Sequence, residues 1–186
     1  MKKIWITSDT HFCHNKDFLY APRGFSNEWD MNKAIIENWN KIIDPDDDVY
    51  HLGDVMLNNN EEGIKCLKSL KGHIRIIRGN HDSETRIQLY KECWNVVEVI
   101  EGKFLNYKNY HFFLSHFPCI TSNYDVDKPL KARMISLCGH SHTQDKWQDF
   151  DKGLIYHCEL DCHNNKPILI DDIIIDIQKK IKENYK

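Results

Sequence analysis

The feature that most restricts the fold of this 186-residue chain is an alternation of two kinds of apolar segment in its first half. Short strand-like runs occupy residues 2–7, 48–52 and 73–77, and the segments 31–43 and 60–70 between them have the apolar spacing of amphipathic helices. Strands that alternate with helices in this way pair in parallel through right-handed crossovers. Parallel neighbours end along one edge of the sheet, so the residues that follow these strands are expected to gather there.

Side chains able to bind a metal follow each of these three strands. Asp9 and His11 come after the first strand, Asp54 after the second and Asn80 after the third. Asp9 and His11 are two residues apart, so in extended backbone their side chains would leave on the same side. Each motif alone also fits an ordinary polar turn. Their recurrence at every strand end is what indicates a shared site.

In the second half of the chain, histidines again follow predicted strands, although the order of strands and helices is different. His116 follows a predicted β-hairpin, and Gly139-His140-Ser141-His142 follows a short apolar strand. His140 and His142 are again two residues apart and are expected to face one way. We predict a helix over 84–93, strands over 96–100, 103–107, 110–114, 134–138, 154–160 and 167–170, and a terminal helix over 171–182.

Composition narrows the class of protein. Hydrophobic residues make up 41% and charged residues 28%, a globular balance that argues against disorder. A net charge of −3 gives no sign of a basic nucleic-acid surface, although bound cations would add positive charge for a nucleotide substrate. Seven cysteines without a C-x-x-C pair favour reduced thiols over disulfides. No apolar run has the length of a membrane span or a secretory leader, so we expect one cytoplasmic domain over 1–186.

Five short blocks, in this order, resemble the calcineurin-like metallophosphoesterases: Asp9-Thr10-His11, Gly53-Asp54, Gly79-Asn80-His81-Asp82, His116 and Gly139-His140-Ser141-His142. Residues 9–15 further resemble a small bacterial and phage branch of that family. The resemblance implies an α/β (α+β, four-layer) fold, in which a two-sheet β-sandwich of mixed strands is flanked by helices. It also implies a two-metal site at the strand ends.

The resemblance assigns the metal ligands residue by residue. One cation would be bound by Asp9, His11, Asp54 and His142. The other would be bound by Asp54, Asn80, His116 and His140, so that Asp54 bridges the two. The donors are nitrogen and oxygen without thiolate, which suits Mn, Fe, Ni, Co or Zn, and manganese is a common activating ion in assays of the family.

The reaction that the resemblance implies is hydrolysis of a phosphate ester, with a phosphodiester as the leading substrate. A hydroxide shared by the two cations would attack phosphorus, while His81 assists the leaving group and Asp82 orients His81. Two alternatives stay open at this stage. One is a phosphomonoesterase or protein phosphatase with the same site, and the other is a non-catalytic binding module on this fold.

The segment 12–30 is a long aromatic loop, which is expected to form an ordered flap at the edge of the site. Trp29 or Phe25 could stack on the base of a nucleotide or a nucleic acid end, or could pack in the core. Asp30 is the predicted N-cap of the following helix. His14 either contacts a substrate phosphate or lies in a surface turn.

Cysteines raise two further questions. Cys13 either lies near the metals or is a buried bystander. Cys158, Cys162 and His163 are close in sequence, but their spacing and the lack of a fourth ligand argue against a structural zinc site.

Overall fold

The structure of the protein is a computed structural model that describes residues 2–121, 133–148 and 154–184. Its strands form two mixed five-stranded sheets, and helices flank them. This arrangement confirms the predicted α/β fold class. Within the described residues, none of the helices combines the length and the apolar character that crossing a bilayer requires.

Four strands of the first sheet are parallel, as the alternation of strands and helices predicts. With strands numbered in chain order, the sheet has the order β10-β1-β2-β3-β4. Only β10 runs antiparallel to its neighbour β1. The bounds are β1 (Ile4–Thr7), β2 (Asp48–His51), β3 (His73–Ile77), β4 (Val96–Ile100) and β10 (Ile168–Leu169).

The second sheet has the order β5-β6-β7-β9-β8. The predicted hairpin forms its edge, and the parallel strands β6, β7 and β9 form its centre. The strand predicted over 154–160 is shorter in the structure, because a 3₁₀ turn at Leu160–Cys162 follows it. The bounds are β5 (Lys103–Tyr107), β6 (Tyr110–Leu114), β7 (Met134–Cys138), β8 (Trp147–Gln148) and β9 (Ile155–His157).

Helices α2 to α5 lie close to the predicted segments, but the structure corrects two expectations about the region before residue 31. The bounds are α1 (Asp17–Tyr20), α2 (Glu28–Ile42), α3 (Asn60–Lys68), α4 (Glu84–Lys91) and α5 (Ile170–Asn184). The predicted irregular loop therefore contains α1 and the start of α2. Asn27, not Asp30, caps α2, because the Asn27 side chain accepts a hydrogen bond from the Asp30 backbone N–H at 2.9 Å.

Alternation along β1 divides the buried side chains into two clusters. Trp5 faces a cluster that contains Ile35 and Trp39 of α2, whereas Ile6 faces a cluster shared by both sheets and α5. Successive side chains of a strand point to opposite faces, so one strand supports both cores. Phe25 packs against the cluster on the helical side, which favours the packing role for this aromatic residue. The two sheets are thus held face to face with their strand ends close together.

Candidate metal centre

Seven polar residues meet where strands of both sheets end. Three strands of the first sheet and two of the second supply them, and most are buried. They are the seven ligands that the resemblance implies: Asp9, His11, Asp54, Asn80, His116, His140 and His142. Residues as much as 131 positions apart in the chain therefore come within hydrogen-bonding distance.

The first ligand group consists of Asp9, His11, Asp54 and His142. The Nε2 atom of His11 lies 3.5 Å from Asp9 Oδ1 and 3.6 Å from Asp54 Oδ2. The Nε2 atom of His142 lies 3.1 Å from His11 Nε2 and 3.7 Å from Asp9 Oδ1. These nitrogen and oxygen atoms therefore surround one small volume.

The second ligand group consists of Asp54, Asn80, His116 and His140. Asn80 Oδ1 lies 2.8 Å from both His116 Nε2 and His140 Nδ1, and these two nitrogen atoms are 3.2 Å apart. His116 Nε2 is also 3.5 Å from Asp54 Oδ2. Asp54 Oδ2 therefore lies within 3.6 Å of a histidine nitrogen from each group. Asp9 lies close to both groups as well, since its carboxylate, that of Asp54 and a His116 nitrogen are within 4.8 Å of one another.

The unsatisfied atoms of the site fit divalent cations. Asp9 Oδ1 is buried and makes no hydrogen bond, which is costly for a carboxylate oxygen without a cation. Burial, aided by the charge of Asp9, raises the pKa of Asp54 to about 6, because both disfavour an ionised carboxylate that has no cation beside it. Burial lowers the pKa of His11 to about 4, which favours the neutral ring that binds metals.

Hydrogen bonds outside the ligand groups set the tautomers of two histidines. His116 Nδ1 lies 2.8 Å from the carbonyl oxygen of Leu52, and His142 Nδ1 lies 3.2 Å from Asp161 Oδ2. Each acceptor places the ring proton on Nδ1 and leaves an electron pair on Nε2, which faces the ligand group. The rings are therefore oriented for metal binding.

The backbone at the ligands corrects the expectation of extended geometry. Five of the seven ligand residues have left-handed φ values, which non-glycine residues rarely adopt and which concentrate at functional sites. They are Asp9 (58°), His11 (46°), Asp54 (57°), His140 (77°) and His142 (48°). His140 and His142 both reach the candidate metal centre, in different ligand groups, from left-handed rather than extended backbone.

Gly79 lies where two loops of the site approach each other closely. Its φ is not among the positive values, so the backbone does not require a glycine for conformational reasons. A Cβ atom at this position would instead lie only 2.5 Å from the backbone nitrogen of Asp54 and would overlap its carboxylate. The glycine therefore permits close approach of the loops that follow β2 and β3.

Asp82 also differs from expectation, because its carboxylate holds loops in place and makes no hydrogen bond to the His81 ring. One oxygen, Oδ2, accepts hydrogen bonds from the backbone N–H groups of Asp54 at 2.8 Å and Gly79 at 2.9 Å. The other accepts from the Val55 N–H at 3.2 Å and the Tyr90 hydroxyl at 2.7 Å. Asp82 thus fixes the position of Asp54, and its effect on His81 passes through the backbone.

His81 and His14 both lie beside the ligand groups. The Nε2 atom of His81 is 3.9 Å from Asp54 Oδ2, and 44% of the His81 side chain is exposed. The backbone N–H of His81 donates to Asp54 Oδ1 at 2.8 Å. The rings of His14 and His11 have centroids 5.2 Å apart, and burial lowers the pKa of His14 to about 4. His14 is therefore near the site, and its contact with substrate stays a prediction.

Sequence reasoning missed two residues that support the first ligand group. Arg23 and Asp161 form a buried bidentate pair, with Nη2–Oδ2 and Nε–Oδ1 distances of 2.6 and 3.0 Å. Arg23 also donates to the Asp9 carbonyl oxygen at 2.8 Å, while Asp161 faces His142. Burial would raise the pKa of Asp161, but hydrogen bonds with His142 and Arg23 outweigh it and lower the pKa to about 2. Neither residue belongs to a ligand motif, so no local pattern pointed to them.

A third missed residue is His51, at the end of β2. The Gly53 backbone N–H donates to His51 Nδ1 at 3.2 Å, which leaves Nε2 to donate to the Thr10 hydroxyl at 2.9 Å. That hydroxyl in turn donates to the Val55 carbonyl oxygen at 2.8 Å. This chain of hydrogen bonds connects the loops that carry the ligands of the first group.

The cysteines take structural positions. Cys13 is buried in the cluster on the helical side, where Asn32 donates to its sulfur at 3.5 Å, an environment typical of a bystander. Cys158 is buried, and within the described residues Cys158, Cys162 and His163 do not form a group of converging ligand atoms. His163 Nε2 instead lies 2.9 Å from the His157 carbonyl oxygen.

Known proteins resemble the chain over most of its length. A sequence profile for the calcineurin-like phosphoesterase superfamily domain matches residues 1–156. Uncharacterized protein MJ1445 of Methanocaldococcus jannaschii is 34% identical over 184 residues, which cover 96% of this chain and 93% of that protein. The gene 66 protein of Mycobacterium phage L5 is 26% identical over 165 residues, which cover 77% and 79%.

Two solved structures share the fold. AQ665 from Aquifex aeolicus, a protein of unknown function, has a TM-score of 0.67 at 22% identity and covers 93% of this chain and 98% of its own. Yfce, a phosphoesterase from E. coli, has a TM-score of 0.51 at 17% identity and covers 84% and 78%. At these identities the likeness establishes the fold alone. The sequence profile, which spans the candidate ligands, establishes the family: the chain belongs to the calcineurin-like phosphoesterase superfamily.

Proposed function

We propose that this protein is a phosphodiester hydrolase that uses two divalent cations. The observation that carries this proposal is the position of Asp54, whose Oδ2 lies 3.6 Å from His11 Nε2 and 3.5 Å from His116 Nε2. A single carboxylate oxygen within reach of both ligand groups suits a bridging ligand. Cations bound there would supply Lewis acidity and lower the pKa of a water molecule to near neutrality.

Three residues near the candidate metal ligands have distinct roles in the proposed reaction. His81 stands beside Asp54 with an exposed ring, so it can donate a proton to the leaving oxygen of a substrate in the open part of the site. Asp82 acts as a positioning residue, because it holds the backbone of Asp54 and Gly79. His14 can contact a phosphate oxygen beside the first ligand group.

The proposal also includes the substrate class, the activating cation and the cellular compartment. A phosphodiester, with a nucleotide or nucleic acid end as the natural form, is the leading substrate class. Mn is the cation expected to activate the protein in assays, and Fe, Ni, Co and Zn suit the same donors. One domain over residues 1–186 in the cytoplasm stays a prediction.

Hydrolysis of chromogenic esters tests the proposal. Purified protein with Mn(II) should release p-nitrophenolate from bis-p-nitrophenyl phosphate faster than from p-nitrophenyl phosphate. The substitution His81→Ala should lower kcat about 10²- to 10⁴-fold, the usual contribution of a general acid. His73→Ala is the matched control, because His73 is an exposed histidine that begins β3, at the opposite end of the strand from the site.

Three outcomes separate the candidate functions. Activity that survives both chelation and Asn80→Ala would refute a metal-dependent hydrolase. A higher rate on the monoester would favour a phosphomonoesterase or protein phosphatase with the same site. Binding of Mn(II) without turnover of either ester would favour the non-catalytic binding module.

A further inference from the structure

Phe117 forms a wall of the second ligand group. It follows the ligand His116 directly, and its ring centroid lies 5.0 Å from that of His116 and 4.8 Å from that of His140. The interplanar angles are 75° and 64°, so the contacts are edge to face. Half of Phe117 is nevertheless exposed. An apolar ring therefore lies beside the candidate metal-binding residues and still has surface that a bound substrate can contact.

The backbone at Phe117 is held in place by its neighbours. The Ser115 hydroxyl donates to the Phe117 carbonyl oxygen at 2.8 Å. The Gly139 N–H donates to the His116 carbonyl oxygen at 2.9 Å, which ties this turn to the loop that carries His140. A ring on a fixed turn loses little conformational freedom when a ligand covers it.

A second exposed ring packs against His14, which lies beside the first ligand group. Phe18 is 69% exposed, and its ring centroid lies 5.6 Å from that of His14 at an interplanar angle of 88°. His14 is in turn 5.2 Å from His11. The next residue, Leu19, is buried and anchors α1 in the core, which leaves Phe18 on the outer side.

These two rings differ in setting from other exposed aromatic residues in the described part of the chain. Phe104 pairs with Phe113 on the hairpin, and Trp94 donates its indole N–H to the Lys68 carbonyl oxygen. Phe117 instead contacts the candidate ligands His116 and His140, and Phe18 contacts His14, which lies beside the ligand groups. Exposed apolar surface beside a polar, charged site is typical of a subsite for an apolar part of the ligand.

We propose that Phe117 is a stacking subsite for a nucleobase. The inference deepens the proposed function, because it requires a phosphate group held at the ligand groups. A group that reaches Phe117 from there must be attached to that phosphate, directly or through a sugar. A nucleobase suits the ring because it is planar, and stacking accepts any base without hydrogen-bond recognition. The substrate class is therefore a nucleotide ester.

Binding of two matched probes tests this subsite without turnover. Adenosine 5′-monophosphate and ribose 5-phosphate share the sugar and the phosphate and differ in the base. Stacking contributes about 1–3 kcal/mol per base, so calorimetric titration of the Mn(II)-loaded protein should show about 5- to 150-fold tighter binding of the adenosine compound. Phe117→Ala should remove most of this preference and leave the affinity for ribose 5-phosphate unchanged.

Two further variants complete the test. Phe104→Ala removes another exposed ring, which lies on the hairpin of the second sheet, and should keep the preference. Phe117→Trp keeps a stacking surface and should retain the preference even if Phe117→Ala unfolds. Equal binding of the two probes by the unchanged protein, or a preference that survives Phe117→Ala, would overturn the subsite. Failure of ester hydrolysis with an intact base preference would refute the proposed catalysis and not the subsite.

Discussion

The buried pair of Arg23 and Asp161 offers a direct test of how the candidate metal ligand His142 is oriented. Asp161→Asn keeps the shape of the side chain but replaces one acceptor oxygen with an amide donor. The two carboxylate oxygens now accept from Arg23 at 2.6 and 3.0 Å and from His142 Nδ1 at 3.2 Å. An amide oxygen cannot occupy both positions, so a donor of Arg23 or of His142 would face an NH₂ group.

The expected size of each effect follows from the interactions that His142 and Arg23 lose in Asp161→Asn. Loss of a carboxylate that orients a metal-binding histidine costs about 10- to 100-fold in metal affinity, or about 1.4–2.7 kcal/mol. Arg23 is fully buried, so removal of its counter-charge should also lower the free energy of unfolding by about 3–5 kcal/mol. The remaining hydrogen bond from Arg23 to the Asp9 carbonyl oxygen, at 2.8 Å, keeps part of that interaction.

Calorimetric titration of the metal-free protein with Mn(II) measures the first effect, and thermal unfolding measures the second. The matched control is Asp176→Asn, because Asp176 accepts from Lys146 Nζ and the Tyr156 hydroxyl, both at 2.7 Å, and contacts no ligand residue. The control should lose stability and keep its affinity for Mn(II). Unchanged Mn(II) affinity in a folded Asp161→Asn variant would refute the orienting role.

Two other predictions concern the loops around the site. Burial lowers the pKa of His51 from 6.5 to about 4, so the ring stays neutral in the fold; its stabilising effect is complete above pH 6.5 and is lost as the pH falls towards 4. By urea unfolding, His51→Gln should lose about 3 kcal/mol less stability than the unchanged protein over that range, and an equal loss in both proteins would contradict the assignment. Gly79→Ala should displace Asp54 and lower bound metal in elemental analysis. Gly102→Ala is the control, because its added Cβ would come no closer than 3.3 Å to a neighbouring atom, and it should bind metal normally. Equal metal content in both variants would refute the close-approach argument.

Much of the fold was predictable because its signals are local. The segments predicted over 73–77, 96–100, 103–107, 110–114 and 134–138 coincide with β3, β4, β5, β6 and β7. Their apolar runs are short and end at turn residues, so few alternatives compete. The start of α2 was less predictable, since Asn27 and Asp30 are both good caps and packing of the preceding loop decides between them.

The directions of the ligands could not be predicted from spacing. Asp9 and His11 were expected to converge because extended strands alternate, yet both have left-handed φ values. They converge because loops of neighbouring strands hold them, with the Asp9 and His11 N–H groups donating to the carbonyl oxygens of Gly53 and Asp54 at 3.0 Å. Spacing describes a regular strand, and these residues lie just beyond one.

The sequence by itself determined which residues are candidate ligands and in what order strands and helices follow, because residue type and apolar period are properties of neighbours in the chain. The family resemblance already implied how the ligands divide between two cations. Only the tertiary structure decided the distances within each group, such as 2.8 Å from Asn80 Oδ1 to His140 Nδ1 and 3.1 Å from His11 Nε2 to His142 Nε2. It also brought Arg23 to Asp161, a partner 138 positions away. Contacts at such separations depend on how two sheets and their loops pack, and no local pattern encodes that geometry.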